Sequence, residues 1–436
     1  MKILRTNIRS GLHGKLRVPG DKSISHRSII FGAISSGETE VTHFLPSDDC
    51  LSTIRAFQAM GVPVEHTRDR VLIHGVTLNG LQAPRRPLNM GNSGTTTRLL
   101  LGLLSGQPFS AQLTGDQSLS RRPMRRVTDP LSEAGARFDL TEGGTLPITV
   151  HGNPNLRPVR YPLPVASAQV KSALILAALQ ADGKSTIIEK QQTRDHTERM
   201  LKAFGGDIEQ SGLTITVTGK PHLTGRKLTV PGDISSAAFF IAAALLVPGS
   251  LITLKQVGIN PTRSGFLDVL KRMGADIQVK RPVHQTEAFA DLTARCSELR
   301  AIRLSRPDIP GVIDELPLIA LLATQAQGVT EITGAEELRV KETDRITVVT
   351  EELNQLGARI TELPDGMLIH GPTPLHLPED QKVDSHGDHR IGMMLAVAAL
   401  TLKGELKLLN DSAISISYPG FFSDLDQLIA KGSVRL

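Results

Sequence analysis

Short polar segments that could hold an anion recur along the chain, each directly before a strongly apolar stretch. They lie at residues 21–23 (DKS), 91–94 (GNSG), 167–169 (SAQ), 232–235 (GDIS), 314–315 (DE) and 387–390 (GDHR). The first turn of a helix has N–H groups without intrahelical partners and the positive end of the helix dipole, so each segment could bind phosphate or carboxylate. Asp, Ser and Asn are also preferred helix caps, which leaves capping as the alternative for every segment.

Lysine and arginine residues gather at the same segments, although the helix dipole disfavours a cation at a helix start. These residues are Lys22, Arg27, Arg98, Arg121, Arg122, Lys171, Lys341, Arg345 and Arg390. Arginine forms paired hydrogen bonds to phosphate or carboxylate and lysine supplies a point charge, so the mixture suits a small ligand with both groups. Each residue taken alone could still be a solvated surface charge.

Carboxylates at two places could transfer protons. Asp314 and Glu315 precede an apolar run, and Glu342 and Asp344 lie within KETDR at 341–345. Asp314 is the stronger candidate because it leads a segment expected to be buried, and burial shifts carboxylate pKa values toward those useful in acid–base catalysis. A carboxylate among Lys and Arg could instead form only an ion pair.

The elements that must position these residues repeat with a period of about 70 residues. Each period reads as strand, apolar helix, strand, amphipathic helix ending in glycine, strand and strand. The sequence VPGD occurs at 18–21 and again at 230–233, so we expect a duplicated chain with three units in each half. This organisation predicts an α/β protein of two domains.

Composition narrows the class of protein. The 436 residues are 40% hydrophobic and 21% charged, which excludes a disordered chain, collagen and a disulfide scaffold. Cys50 and Cys296 show no disulfide or metal-binding spacing, so a reducing compartment and no metal are expected. The longest apolar stretch, 237–247, is shorter than the roughly 20 residues that span a bilayer, and a soluble cytoplasmic protein is expected. A net charge of +5 permits an acidic ligand, whereas the 3% of aromatic residues disfavours single-stranded nucleic acid.

Across nearly its whole length the sequence resembles the 5-enolpyruvylshikimate-3-phosphate synthase family, also called the 3-phosphoshikimate 1-carboxyvinyltransferases. The matching motifs, in the family's order, are GDKSISHR at 20–27, GNSGT at 91–95, RP at 122–123, SAQ at 167–169, RVKETDR at 339–345 and DHR at 388–390. One such motif could arise by chance, but six in order are specific.

The resemblance implies a two-domain inside-out α/β barrel, with three βαβαββ repeats around buried helices in each domain. Residues 1–17 and 230–436 would form one discontinuous domain, and residues 18–229 an inserted domain. The implied reaction transfers the enolpyruvyl group of phosphoenolpyruvate to the 5-hydroxyl of shikimate 3-phosphate and releases phosphate, on the route to chorismate and the aromatic amino acids. It would proceed by addition and elimination with domain closure, in a monomer, without metal or organic cofactor.

The resemblance also implies roles for individual residues. Asp314 resembles the base that accepts the 5-hydroxyl proton, Glu342 the group that handles protons at the methylene carbon, and Lys22 a lysine that touches both substrates. The residues that resemble shikimate 3-phosphate ligands are Lys22, Ser23, Arg27, Ser167, Gln169, Arg194, Asp314 and Lys341. Those that resemble phosphoenolpyruvate ligands are Lys22, Gly94, Arg122, Gln169, Arg345 and Arg390.

Some positions depart from the common family pattern. Ala168 stands where many members have a second serine, and Ile416 where the first subclass has a lysine that contacts phosphoenolpyruvate. RDHTE at 194–198, SAQVK at 167–171 and NPTR at 260–263 instead resemble the second subclass, which includes glyphosate-tolerant members. Gly94 leaves tolerance open, because an alanine side chain at this position is what would crowd glyphosate.

Other functions compete with this interpretation. The sister enzyme that transfers the same group to UDP-N-acetylglucosamine normally has a catalytic cysteine or aspartate in a loop of its second unit, and neither cysteine lies there. A basic protein that binds or processes RNA shares a related fold, but the few aromatic residues and the cations at helix starts argue against it. A purely structural role fits these cations least.

Overall fold

The computed structural model describes residues 1–284 and 286–433 of the chain. The chain divides into unit 1, Met1–Pro19 with Pro231–Leu436, and unit 2, Gly20–Val230. Both divisions fall within the two VPGD sequences, at 18–21 and 230–233. Each unit encloses its own hydrophobic core. Within the described ranges, no helix has both the length and the hydropathy needed to cross a membrane.

Unit 1 begins with two short strands, β1 (Lys2–Ile3) and β2 (His13–Leu16).

The helices of unit 2 are α1 (Lys22–Ala33), α2 (Asp48–Ala59), α3 (Gly94–Ser105), α4 (Arg125–Glu133), α5 (Ala168–Ala178) and α6 (His196–Ala203). Its strands are β3 (Ser36–Thr42), β4 (Val64–His66), β5 (Arg70–Val76), β6 (Leu88–Asn89), β7 (Ser110–Thr114), β8 (Arg137–Asp139), β9 (Ile148–His151), β10 (Arg160–Pro162), β11 (Lys184–Ile188), β12 (Ile208–Ser211), β13 (Thr214–Thr218) and β14 (Lys227–Thr229).

The rest of unit 1 continues the same alternation of helices and strands. Its helices are α7 (Ile234–Leu246), α8 (Gly265–Arg272), α9 (Ile309–Val312), α10 (Leu316–Thr324), α11 (Arg345–Gln355), α12 (His389–Ala399) and α13 (Phe421–Ser433). Its strands are β15 (Leu251–Gly258), β16 (Asp276–Val283), β17 (Phe289–Arg295), β18 (Arg303–Leu304), β19 (Gly328–Ile332), β20 (Arg359–Leu363), β21 (Gly366–Gly371), β22 (Lys382–Asp384) and β23 (Lys407–Leu409).

Each sheet of unit 2 has four strands, in the orders β14-β3-β5-β4, β6-β7-β9-β8 and β10-β11-β13-β12. In every one of them the first pair is parallel and the other two pairs are antiparallel. Parallel neighbours need a crossover, which α3 and α5 provide in the second and third sheets. In the first sheet the outer strand β14 comes from the end of the unit.

Unit 1 has sheets of the orders β16-β17-β15-β2, β18-β19-β21-β20 and β1-β23-β22. Strand β2 precedes the inserted unit and pairs in parallel with β15, which follows it. In the third sheet β1 pairs antiparallel with β23. The predicted fold, three repeats around buried helices in each of two domains, is therefore confirmed, with single strands supplied from elsewhere in the chain.

One helix of each repeat is buried on nearly every face. These helices are α1, α3, α5, α7, α10 and α12. A helix enclosed in this way must be apolar almost throughout, so polar groups concentrate at its ends. In unit 2, α3 and α5 meet at Gly102, where an added Cβ would lie 2.1 Å from the carbonyl oxygen of Ala173. The six polar segments found in the sequence are the starts of these six helices.

Candidate active site

Side chains cap five of the six buried helices. Each cap accepts a hydrogen bond of 2.8–3.4 Å from a backbone N–H in the first turn. The capping residues are Asp21, Ser93, Ser167, Asp233 and Asp388. Capping, the alternative left open by the sequence, is therefore correct at these five positions. Helix α10 differs because no side chain caps it, so Asp314 and Glu315 serve another purpose.

Two guanidinium groups, those of Arg98 and Arg122, lie at the start of α3 in unit 2. An added Cβ on Gly94 would lie 3.0 Å from Arg122 Nη1 and 3.7 Å from Arg98 Nη1. Arg122 Nη2 donates to Asn92 Oδ1 at 2.8 Å, and Arg98 Nη1 donates to Gln169 Oε1 at 2.5 Å. Two like charges beside the positive end of a helix favour an anion between them. The structure thus joins Gly94, Arg122 and Gln169 with Arg98, one of the cations expected near an anionic ligand but not assigned to either substrate.

Lys22 and Ser23 form the first turn of α1. Lys22 Nζ lies 3.3 Å from Asp49 Oδ2, in the first turn of α2, and 23% of the Lys22 side chain is exposed. Ser23 is also partly exposed. Asp49 is a partner that the sequence did not indicate, and its charge offsets the unfavourable position of a cation at a helix start.

His26, in the same motif, faces the interior. Its side chain is fully buried, and Nδ1 lies 2.7 Å from Thr53 Oγ1 on α2. Burial, together with the charges of Lys22 and Arg27, lowers the pKa of His26 to about 3. His26 is therefore neutral at physiological pH and adds no charge to the start of α1.

The Arg27 guanidinium joins three helices of unit 2 and is 4% exposed as a residue. It donates to Ser23 O on α1 at 3.0 Å, to Ser172 Oγ on α5 at 2.8 Å and to Thr197 Oγ1 on α6 at 2.7 Å.

The residues of unit 2 predicted to bind only shikimate 3-phosphate lie on α1 or just before α5 and α6: Ser23, Arg27, Ser167 and Arg194.

Lys171 pairs with carboxylates of the protein itself. Its side chain is fully buried, and Nζ lies 3.0 Å from Glu189 Oε1 and 2.7 Å from Glu198 Oε1. The expectation that this cation serves an anionic ligand is therefore wrong, because two internal carboxylates already balance its charge.

Three guanidinium groups surround the Asp314 carboxylate in unit 1. Arg390 Nη2 lies 3.5 Å from Asp314 Oδ2, Arg345 Nη1 lies 3.7 Å from Oδ1, and Arg263 Nη1 lies 3.9 Å from Oδ2. Arg390 Nη1 also donates to the Asp314 carbonyl oxygen at 3.0 Å. The Asp314 side chain is 13% exposed. The carboxylate is thus oriented from several sides and remains accessible to a small ligand.

Glu315, which is buried, lies near two of the same arginines, Arg263 and Arg390. It accepts a hydrogen bond from Ser235, and its Oε1 lies 3.6 Å from Arg263 Nη1 and 3.9 Å from Arg390 Nη1. In the sequence Arg263 stands out only as part of the NPTR segment, which indicates no role for it. Asp233, before another buried helix, lies 3.6 Å from Arg263 Nη2. Buried carboxylates need a cation nearby, but this need does not indicate from the sequence which cation meets it.

Arg345 connects the KETDR and GDHR segments and is almost fully buried. Its Nε donates to Asp388 Oδ2 at 2.7 Å and its Nη2 to Glu342 Oε2 at 2.7 Å. Burial alone would lower the pKa of Arg345, but Asp388 and Glu342 raise it above its usual value. Burial alone would raise the pKa of Asp388, but the Arg345 guanidinium outweighs burial and holds it below its usual value. Both groups are charged at neutral pH.

The two carboxylates of the KETDR segment have different roles. Asp344 caps α11 by accepting from two backbone N–H groups at 3.2 Å, and it pairs with Arg339 at 2.8 Å. Glu342 is partly exposed beside the Arg345 guanidinium. Lys341, also partly exposed, ends the preceding 3-10 turn. Asp344 is therefore a structural residue, which leaves Glu342 as the acid–base candidate of this segment.

Ile416 ends a 3-10 turn, Asp411–Ile416, and is partly exposed. No lysine takes its place in the sequence SISYP at 415–419. Among residues 1–284 and 286–433, no three His, Cys, Asp or Glu side chains come close enough to hold a metal ion.

Comparison with known proteins gives a consistent result over nearly the whole chain. The family model of EPSP synthase (3-phosphoshikimate 1-carboxyvinyltransferase) matches residues 6–425. The 3-phosphoshikimate 1-carboxyvinyltransferase of Oenococcus oeni is 55% identical over 98% of both chains, and that of Geobacillus kaustophilus is 54% identical over 98% of this chain and 100% of the relative. The solved structure of EPSP synthase from Acinetobacter baumannii matches with a TM-score of 0.87 at 43% identity, covering 98% of this chain and 97% of that one. The chain therefore belongs to the EPSP synthase, or 3-phosphoshikimate 1-carboxyvinyltransferase, family.

Proposed function

We propose that the residues described above perform the reaction of this family in named roles. The reaction itself, transfer of the enolpyruvyl group of phosphoenolpyruvate to shikimate 3-phosphate, follows from full-length relatives of about 55% identity. One observation supports these roles most strongly. Among the six buried helices described, only α10 begins without a side-chain cap, and the Asp314 carboxylate that precedes it lies within 4 Å of three arginines.

Phosphoenolpyruvate offers a phosphate and a carboxylate, both of which suit guanidinium groups and helix starts. In unit 2 we assign Gly94, Arg122 and Gln169 to this substrate, supported by their convergence at the start of α3. In unit 1 we assign Arg345 and Arg390 to it.

Shikimate 3-phosphate offers a phosphate, a carboxylate and hydroxyl groups. The partly exposed Lys22 ammonium is assigned to both substrates. The remaining ligands proposed for shikimate 3-phosphate are Ser23, Arg27, Ser167, Gln169, Arg194, Asp314 and Lys341.

In the proposed mechanism the 5-hydroxyl oxygen forms a bond to C2 of phosphoenolpyruvate, and its proton passes to Asp314. A proton adds to the methylene carbon C3, which gives a tetrahedral intermediate. Cleavage of the C2–O bond to phosphate and loss of a proton from C3 then restore the double bond and release phosphate. Glu342 is assigned to the protons at C3, and Lys22 and the arginines to the negative charge.

Phosphate release tests this function directly. Purified protein incubated with phosphoenolpyruvate and shikimate 3-phosphate should release phosphate, whereas either substrate alone should give none. No release with both substrates would contradict the function. Release with UDP-N-acetylglucosamine as the acceptor would instead favour the sister reaction.

Replacing Arg122 by alanine should weaken phosphoenolpyruvate binding about 10- to 100-fold, since hydrogen bonds to charged groups contribute roughly 1.5–3 kcal/mol. Calorimetric titration with shikimate 3-phosphate present measures this affinity. Arg121→Ala is the matched control, because Arg121 is the exposed neighbour and carries the same charge. Equal affinities of Arg122→Ala and the parent would remove Arg122 from the site.

Replacing Gly94 by alanine should raise the KM for phosphoenolpyruvate several-fold and change the melting temperature little. The added methyl would lie 3.0 Å from Arg122 Nη1, so the guanidinium must shift by a few tenths of an ångström. Gly143→Ala is the control, since nothing lies within 4 Å of a Cβ added there. If steady-state kinetics give the same KM for the parent and Gly94→Ala, phosphoenolpyruvate is bound elsewhere.

A monomeric state, a cytoplasmic location and the second-subclass features stay predictions. Light scattering of the purified protein would test the monomer. Inhibition of phosphate release by glyphosate would test whether this chain shares the tolerance known in that subclass.

A further inference from the structure

A buried ionic network lies next to the shikimate 3-phosphate ligands proposed in unit 2. Lys171 Nζ lies 3.0 Å from Glu189 Oε1 and 2.7 Å from Glu198 Oε1, and it donates to Thr193 O at 3.4 Å. The side chains of Lys171 and Glu189 are 0% exposed and that of Glu198 is 7% exposed. Burying charge is costly, and a buried ion triad is weak evidence for stability. The mechanism described above makes no use of these three residues.

The network fixes the segment that connects β11 to α6. Glu189 Oε1 accepts hydrogen bonds from both N and Oγ1 of Thr193, with the backbone bond at 3.0 Å. Lys171 binds the carbonyl group of the same threonine. The Thr193 carbonyl group therefore binds α5 directly, and its N–H group is linked to α5 through Glu189, the partner of Lys171. Arg194 is the next residue along the chain.

The network also fixes the acceptors that orient Arg27. Glu198 and Thr197 are neighbours on α6, and Lys171 and Ser172 are neighbours on α5. The hydroxyl groups of Ser172 and Thr197 lie 2.6 Å apart and both accept from the Arg27 guanidinium. An ion pair between α5 and α6 therefore holds the two hydroxyls at the spacing that Arg27 uses.

We propose that Lys171 is a positioning residue for shikimate 3-phosphate binding, acting with Glu189 and Glu198 to place Arg27 and Arg194 without touching the substrate. This inference rests on the proposed function, in which both arginines bind that substrate. A network that serves stability alone would leave substrate affinity unchanged in any variant that folds.

The test removes the charges and keeps the shapes of the side chains. In the triple variant Lys171→Met, Glu189→Gln, Glu198→Gln no member of the triad is left as an unpaired charge, and the amide at position 189 can still accept from Thr193. Buried ion triads replaced by well-packed hydrophobic residues of similar volume are often as stable as the original, and the three replacements here keep the volume of the original side chains. The melting temperature should therefore stay near that of the parent.

The affinity for shikimate 3-phosphate should nevertheless fall. We expect its dissociation constant, measured by calorimetry without phosphoenolpyruvate, to rise about 10- to 100-fold, the effect of losing one hydrogen bond to a charged group. Lys227→Met is the control, because Lys227 forms an exposed pair with Glu40 in the same unit. A folded triple variant that binds shikimate 3-phosphate as tightly as the parent would overturn the inference.

Glu198→Gln alone keeps the inference testable if the triple variant does not fold. It leaves the Lys171 and Glu189 pair intact and should raise the same dissociation constant about threefold or more, in line with the loss of one buried charged contact. An unchanged constant in this folded single variant would likewise overturn the inference.

Arg194→Gln separates this inference from the function on which it rests. If Arg194→Gln weakens shikimate 3-phosphate binding and the triple variant does not, the positioning role fails and the proposed ligands stand. If neither Arg194→Gln nor Arg27→Gln weakens binding, the proposed ligands fail and the positioning role fails with them.

Discussion

Replacing Asp314 by asparagine is expected to lower kcat by about 10²–10⁴, the usual loss when a general base is removed. The KM values of both substrates should change less than about tenfold, because this substitution removes an interaction of the transition state and leaves most ground-state binding intact. Arg390 keeps its hydrogen bond to the carbonyl oxygen of residue 314, so the backbone stays in place. Steady-state phosphate release measures kcat and both KM values.

Asp268→Asn is the matched control for this loss. Asp268 lies exposed on α8 in the same unit, so the same change in charge should leave kcat unaltered. The melting temperature of Asp314→Asn should be recorded as well, because its three arginines then repel one another without the carboxylate. A kcat within tenfold of the parent would contradict the role as base, and a raised KM with unchanged kcat would leave Asp314 with a binding role only.

Replacing Arg345 by methionine is expected to lower the free energy of unfolding by about 3–5 kcal/mol, because it leaves a buried carboxylate without its cation. Asp388 is fully buried, and two nitrogens of the Arg345 guanidinium donate to it at 2.7 and 3.2 Å. The same variant should lose phosphoenolpyruvate affinity. Denaturant unfolding measures the stability and calorimetric titration the affinity.

The loss of stability in Arg345→Met should shrink as the pH falls from 7 to 5. In the parent the pKa of Asp388 is held below its usual value, so its contribution to stability is complete above that usual value and disappears only in more acidic solution. Without Arg345, burial raises the pKa of Asp388 above its unfolded value, and protonation then stabilises the folded variant as the pH falls. If the difference in the free energy of unfolding between the parent and Arg345→Met stays constant or widens toward pH 5, the lost stability does not come from Asp388.

The double variant Arg345→Met, Asp388→Asn separates stability from binding. Asparagine is a good helix cap and can still accept from the Arg390 N–H, so α12 keeps its start. Because no buried charge is left unpaired, much of the lost stability should return, while phosphoenolpyruvate affinity stays low. Recovery of affinity in the double variant would show that Arg345 acts only on folding.

Caps and repeats could be predicted from the sequence because they depend on chemistry within one turn or on a regular period. Local sequence pattern did not reveal which of the six buried helices lacks a side-chain cap. The five capping residues precede their helices in extended backbone, with ψ between 91° and 126°. Before α10 the short helix α9 intervenes, and Glu315 has φ and ψ close to helical values. A capping residue instead needs non-helical φ and ψ for its side chain to accept from the N–H groups of the first turn.

Partners distant along the chain were also beyond local pattern. The counterions of Lys171, Glu189 and Glu198, lie on the next connection and the next helix. The sequence around Lys171 therefore does not reveal them, and a ligand was expected to balance its charge instead. Arg263 had no visible role because the carboxylates that surround it lie on other segments. Ion pairs of this kind are set by how helices pack, which the spacing of charges along one segment does not specify.

The pairing of β2 with β15 has a consequence for folding during synthesis. All strands of unit 2 lie between residues 36 and 229, so its sheets can close as soon as that segment has left the ribosome. Strand β2 is made earlier but finds its partner only when residues 251–254 emerge, and β1 must wait for β23 near residue 408. Domains generally fold as units in the order of their synthesis. The first residues of the chain are therefore among the last to reach their final pairing, and a nascent chain halted after residue 230 would contain a folded inserted unit with an unpaired N-terminal strand.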